Sequence, residues 1–160
     1  MTRFSEKQAR MMGILDDMKP KRKRTPKKNE AILNARKIED GVLLIIPENM
    51  PSLNVWKNWH WAKQATYKKD LTKLMADLSL IVGCPQYERA TVEITHYFRT
   101  NRNRDSGDNY APKFVMDALR YAGFIIEDHS GVVRVPEPTL LVDRESWRTE
   151  IKITKVKGEL

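Results

Sequence analysis

The sequence predicts an α+β protein whose mixed β-sheet carries its helices mainly on one face. Three observations predict it. Residues 89–99, "RATVEITHYFR", and 147–156, "WRTEIKITKV", alternate apolar and polar side chains, the period of a half-buried strand. Residues 71–81 and 114–122 repeat apolar side chains at three- and four-residue steps, the period of an amphipathic helix. These elements follow one another in a β-α-β-α-β order with short extra strands, which builds a helical layer against a mixed sheet.

Taken in order, the first forty residues stand apart, with 12 Lys or Arg against 6 Asp or Glu. Within them "KPKRKRTPKK" (19–28) has no apolar stripe to offset chain entropy. Residues 1–38 therefore read as a basic, disordered tail and 39–160 as the folded domain. "GVLLIIP" (41–47) is a buried strand stopped by Pro47, and "PENMPSLN" a proline-marked loop. A helix is expected from about Trp59, with Leu71, Leu74, Met75, Leu78 and Ile81 on its buried stripe and Gly83 and Pro85 as its stop. The strand at 89–99 puts His96 on its inward face, as a hydrogen-bonded core histidine.

The polar loop "TNRNRDSG" leads to a second helix of about 14 residues. Asp108 or Asn109 caps it and Pro112 sits in its first turn, where a missing N–H costs least. Phe114, Val115, Ala118, Leu119 and Ala122 form its buried stripe, and Gly123 ends it. "FII" and "SGVVRVPEP" supply short strands, and 147–156 closes the sheet.

Composition narrows the function classes. The net charge is +8, which suits a polyanionic partner because Lys and Arg release counterions from phosphate; a Lys-rich soluble surface gives the same charge. The single cysteine, Cys84, excludes an internal disulfide and multi-cysteine zinc sites, and reads as an apolar filler at a helix end. The longest apolar run, "VLLII", is far short of a membrane span, and the charged N-terminus has no signal core. A cytoplasmic protein without membrane contact is expected.

The chemistry lies in "RDSGDNYAPKFVMDALRYAGFIIED" (104–128), where a basic chain gathers Asp105, Asp108, Asp117, Glu127 and Asp128 around one helical pattern. Two readings stand side by side. One is structural: Asp108 as a helix cap, and Lys113 with Asp117 as a helix-surface pair. In the other, the turn after the helix returns Asp128 toward Asp105 and Asp108, forming a carboxylate site. Mg²⁺ takes such hard oxygen ligands and keeps several waters. It would lower the pKa of a bound water and polarise a scissile phosphate, with Lys113 orienting that water or neutralising phosphate charge.

This run resembles the RusA family of Holliday-junction resolvases of bacteria and their phages. The likeness rests on "DSGDN", Lys113, "DAL" at 117–119 and "AGFIIED" at 122–128, with "PSLN" at 51–54 ahead of a basic, aromatic helix start. It covers about residues 41–156. The resemblance implies a homodimeric endonuclease of DNA recombination and repair that nicks four-way or other branched DNA in paired, symmetric fashion. It further implies Mg²⁺, or Mn²⁺ in its place, held by Asp105, Asp108 and Asp128, with Lys113 as the catalytic lysine. Two departures are visible: two residues rather than one separate the first two acids, and Lys113 falls one residue late after the Asp-Asn pair.

"NVWKNWHWAKQATYKK" interleaves Trp56, Trp59 and Trp61 with lysines, which suits unstacked bases and phosphates. Trp59 or Trp61 is expected to anchor the helix in the core. Lys57, Lys63 and Lys69, with Arg102 and Arg104 beside the acids, are the candidate phosphate contacts. The alternative from another class is a non-catalytic nucleic-acid-binding protein with a degenerate acidic site; a metal-dependent phosphatase or nuclease on other substrates is a third.

Overall fold

A computed structural model of the chain describes residues 25–101, 110 and 113–158. Its elements are β1 (Asn34–Ile38), β2 (Gly41–Ile46), α1 (Leu53–Lys57), α2 (Trp61–Ile81), β3 (Ala90–Phe98), α3 (Lys113–Tyr121), β4 (Val133–Arg134), β5 (Thr139–Val142) and β6 (Arg148–Lys155). The strands form one mixed sheet in the order β1-β2-β6-β3-β4. Pairings from β1 to β3 are antiparallel, while β4 and β5 both run parallel to β3, at its start and at its end.

Alternation decides which face is covered. Leu44 pairs with Ile151, and Ile151 with Ile94, so their side chains form one row across three strands. Leu71, Met75 and Leu78 of α2 and Val115, Ala118 and Leu119 of α3 complete the core above that row. The opposite face carries Glu93, Glu150 and Lys152, with Lys152 at 3.7 Å from Glu93. The mixed α+β architecture with a one-sided helical layer is the predicted one.

Several details differ from expectation. Residues 34–38, placed in the tail with the rest of the basic N-terminal stretch, form edge strand β1; one edge residue in the core, Ala35, suffices. The hairpin turns at Glu39–Asp40, with Asp40 in the left-handed region at φ 56°. Gly41 is required there, since a Cβ would fall 2.0 Å from the Ile153 carbonyl oxygen. Upstream, the Asn29 amide donates to the Pro47 and Trp147 carbonyls, and Lys27 pairs with Glu145, so the chain is tied to the sheet before β1 begins. The tail's first 24 residues lie outside the described residues.

The helix expected from about Trp59 is α2, which begins at Trp61, and the short helix α1 before it was not anticipated. Ser52 caps α1, its Oγ accepting from the Val55 amide at 3.3 Å, and His60 caps α2, its Nδ1 accepting from the Ala62 amide at 3.2 Å. Val82 rather than Ile81 continues the buried stripe, because Leu71, Met75, Leu78 and Val82 hold the helical phase and Ile81 points outward. Cys84 is exposed on left-handed backbone at φ 50°, so it fills no core gap. Strand β6 does not close the sheet; it sits inside it, paired to β2 and β3. "FII" contributes one parallel bridge, Ile125 to Tyr87. Strand β5, whose "TLLV" lies between Pro138 and Asp143, was not anticipated.

Candidate nucleic-acid interface and acid site

The region of interest is where the end of β3, α1, the first half of α2 and the start of α3 meet. Tyr110 fixes how the chain re-enters the fold. It is 8% exposed, with its ring 5.0 Å from that of His96 and 5.4 Å from that of Phe98. Tyr110 is thereby docked on the end of β3. His96 itself is 2% exposed, its Nδ1 lies 3.4 Å from Thr149 Oγ1, and its Nε2 has no partner among the described residues. Burial lowers its pKa from 6.5 to about 4, so it is a neutral core ring and not a base at neutral pH. It is the hydrogen-bonded core histidine expected, held through Nδ1 by Thr149.

Lys113 opens α3 and is exposed. Its neighbour Phe114 stacks on Trp56 at 5.1 Å and 18°. Tyr67 meets Trp56, Trp59 and Phe114 edge-on at 5.7, 5.5 and 5.8 Å. Offset and edge-to-face geometries are the favourable ones for ring quadrupoles. This four-ring cluster bolts the Trp/Lys segment onto the first turn of α3, beside Lys113. The Lys63 ammonium lies 4.0 Å over the Trp59 ring and that of Lys68 5.6 Å over Trp56. Lys57 and Lys69 are exposed. Trp56 and Trp59 are half-buried in this ring cluster and outside the apolar core in which Trp59 or Trp61 was expected, and Trp61 is exposed.

Beside the cluster lies an open hollow of about 470 Å³ lined by Trp59, Lys63, Tyr67 and Asp70 among others. The Tyr67 hydroxyl is buried without a hydrogen-bond partner among the described residues. Burial, and then the charge of Glu48, push its pKa up, so it stays protonated. It acts as a packing hub, and no base chemistry falls to it.

Asp128 occupies a different level of the fold. After α3 the chain turns at Gly123 (φ 82°) and runs beside the residues that precede β3, with Gln86 donating to Gly123 and Tyr87 to Phe124. Pairing resumes where Ala90 donates to Val132. Between these points residues 127–132 loop out. His129 holds this loop, accepting from the Gly131 amide at 3.1 Å and standing 2.8 Å from Glu127. Asp128 is exposed within it. Ala90, level with this loop, and His96, level with Tyr110, are separated by about 20 Å of strand.

Asp105, Asp108, Arg102 and Arg104 lie outside the described residues, as do Asn109 and Pro112 at the expected helix start. Asp117 is half-buried on α3, and no ion pair joins it to Lys113 among the described residues. Among those residues no three His, Cys, Asp or Glu side chains are grouped as metal ligands. The described residues thus bring together Lys113, the aromatic cluster and the lysines. Asp128, in the 127–132 loop, is not among them.

Sequence reasoning missed Tyr110, Tyr67 and Phe114 as organisers of this region. Tyr67 carried a signal, since it falls one helical turn after Lys63 in the Trp/Lys run; the partnership of Tyr110 with His96 carried none, being set by tertiary packing. No helix among the described residues is long and apolar enough to cross a membrane. No protein-family model matches the chain, and no curated protein matches it.

Proposed function

We propose that the chain is a Mg²⁺-dependent, structure-selective endodeoxyribonuclease that acts as a homodimer on four-way or other branched DNA. The observation that carries this reading is the Trp56–Phe114 stack. It joins a segment suited to DNA to the first turn of the helix that opens with Lys113, inside the run that resembles the RusA resolvases. Residues 53–69 contain Lys57, Lys63, Lys68 and Lys69 and no Asp or Glu. A phosphate backbone is drawn to such a surface.

Asp105, Asp108 and Asp128 would offer hard carboxylate oxygens, the ligands Mg²⁺ takes; Asp105 and Asp108 lie outside the described residues and exposed Asp128 stands on a different level from Lys113, so their convergence on one ion is part of the proposal. Bound there, the ion would supply an activated water and polarisation of the phosphate. Lys113 neutralises charge that builds on the phosphate oxygens as the water oxygen bonds to phosphorus. The P–O3′ bond breaks and the departing O3′ takes up a proton, leaving 5′-phosphate and 3′-hydroxyl ends. A two-fold dimer presents two such sites, one to each of two opposing strands, and so gives paired nicks.

The test is incubation of the protein with an end-labelled four-way junction, a duplex and a single strand, each with Mg²⁺ and with EDTA. Paired nicks in the junction alone, dependent on Mg²⁺, support the proposal. Junction binding without cleavage in any divalent ion replaces it with the non-catalytic binding protein.

A further inference from the structure

The three tryptophans of the basic segment are not equivalent. The Trp56 face is taken by Phe114, and the Trp59 face by the Lys63 ammonium. Both rings are also met by Tyr67. Trp61 is different: it is 74% exposed, and its one ring neighbour among the described residues is His60, at 5.4 Å and 38°. It is the first residue of α2, whose N-terminal cap is His60 Nδ1, so the helix start does not need an indole there. Leaving an indole in water forgoes its burial free energy, a cost with no return in the fold as described.

The surroundings define what the ring would take. Trp61 lies within the seventeen residues 53–69, which carry four lysines and no acid. A polyanion with an accessible π-face matches both features at once: phosphates meet Lys57 and Lys69, and a base meets the indole. In a continuous duplex each base is already stacked on both sides, so only an unpaired or unstacked base can present a face. Every base has one, which makes the contact tolerant of sequence.

We infer that Trp61, flanked by His60, is a stacking platform for one unpaired nucleobase, and that it selects DNA with open bases over continuous duplex. This rests on the reading of the chain as a protein of branched DNA and adds to it the feature recognised.

The experiment uses the full chain in EDTA, with fluorescein-labelled probes: a four-way junction carrying unpaired thymines at its centre, a twelve-nucleotide oligo-dT, and a duplex. Wild type, Trp61→Ala and Trp61→Phe are compared by anisotropy, with thermal melting as a fold control. Loss of one base stack weakens binding by roughly 5- to 100-fold. Trp61→Ala is expected to show that loss on the first two probes, with duplex affinity and melting temperature retained. Trp61→Phe, which keeps a ring, stays within about threefold of wild type. Equal affinity of Trp61→Ala and wild type for the open-base probes overturns the inference. So does an equal loss on the duplex, which would mean that the ring supports general affinity. A parallel incubation of wild type with Mg²⁺ and the junction separates the two claims. Trp61-dependent binding without nicking removes the nuclease reading and keeps the platform, whereas nicking with Trp61-independent binding does the reverse.

Discussion

Acidification should destabilise the fold through one side chain, His96. In the folded state burial holds its pKa at about 4, against 6.5 when exposed. Between those values the unfolded chain binds a proton that the folded chain refuses, so stability falls as pH falls from about 6.5 to about 4. Above that window the imidazole is neutral in both states and costs nothing. Each pH unit of difference is worth about 1.4 kcal/mol, giving a loss of about 3 kcal/mol across the window. The Asp143 carboxylate, held below its usual range by the Ser146 amide, then Arg148 and then the Glu145 amide, adds its loss only at more acidic pH. Urea unfolding at pH 7.5, 6.5, 5.5 and 4.5 measures the effect, with His96→Phe as the comparison. A phenyl ring keeps the contacts with Tyr110 and Phe98 and carries no proton, so about 3 kcal/mol of pH dependence should vanish from this window. The same slope in His96→Phe and wild type would refute the reasoning and place the acid sensitivity elsewhere.

Phe114→Ala should cost about 3 kcal/mol, because it empties a buried site and removes two ring pairs, lowering the melting temperature by roughly 10 °C; a loss under about 1 kcal/mol would mean that α1 and α3 are not joined through that stack. Removing residues 1–24 deletes 8 Lys or Arg against 3 Asp or Glu and leaves β1 whole. DNA affinity should drop and its salt dependence flatten without a change in urea midpoint. Removing residues 1–38 also takes β1 and the Asn29 clamp, so that midpoint should fall; equal midpoints for the two truncations would contradict the placement of β1 in the sheet.

Period-two and period-3.6 patterns made β3, β6, α2 and α3 legible, because burial on one face writes itself directly into residue order. Pairing partners were not legible. The alternation in residues 148–155 fits an edge or a centre, and only the register of Ile151 with both Leu44 and Ile94 places β6 inside the sheet. Strand β1 was hidden because an edge strand needs little apolar surface, and "NARKI" contributes a single core side chain, Ala35. At the site, residue order interleaved Lys57, Lys63 and Lys69 with the tryptophans, whereas the nearness of Lys113 to that segment comes only from the Trp56–Phe114 stack. Which tryptophans were structural was decided by contacts across three helices, with Phe114 arriving from a distant part of the chain. The position of Asp128 depended on where the chain after Gly123 pairs. It pairs at Tyr87, before β3 begins, rather than further along the strand toward Tyr110.

The most direct test compares Asp108→Asn and Asp128→Asn with wild type on one labelled four-way junction, measuring binding in EDTA and nicking after Mg²⁺ is added. Both variants should bind the junction at least as well as wild type, because each removes one negative charge from the proposed DNA site, and neither should nick it. Nicking by Asp128→Asn at the wild-type rate would take that carboxylate out of the chemistry and contradict the account.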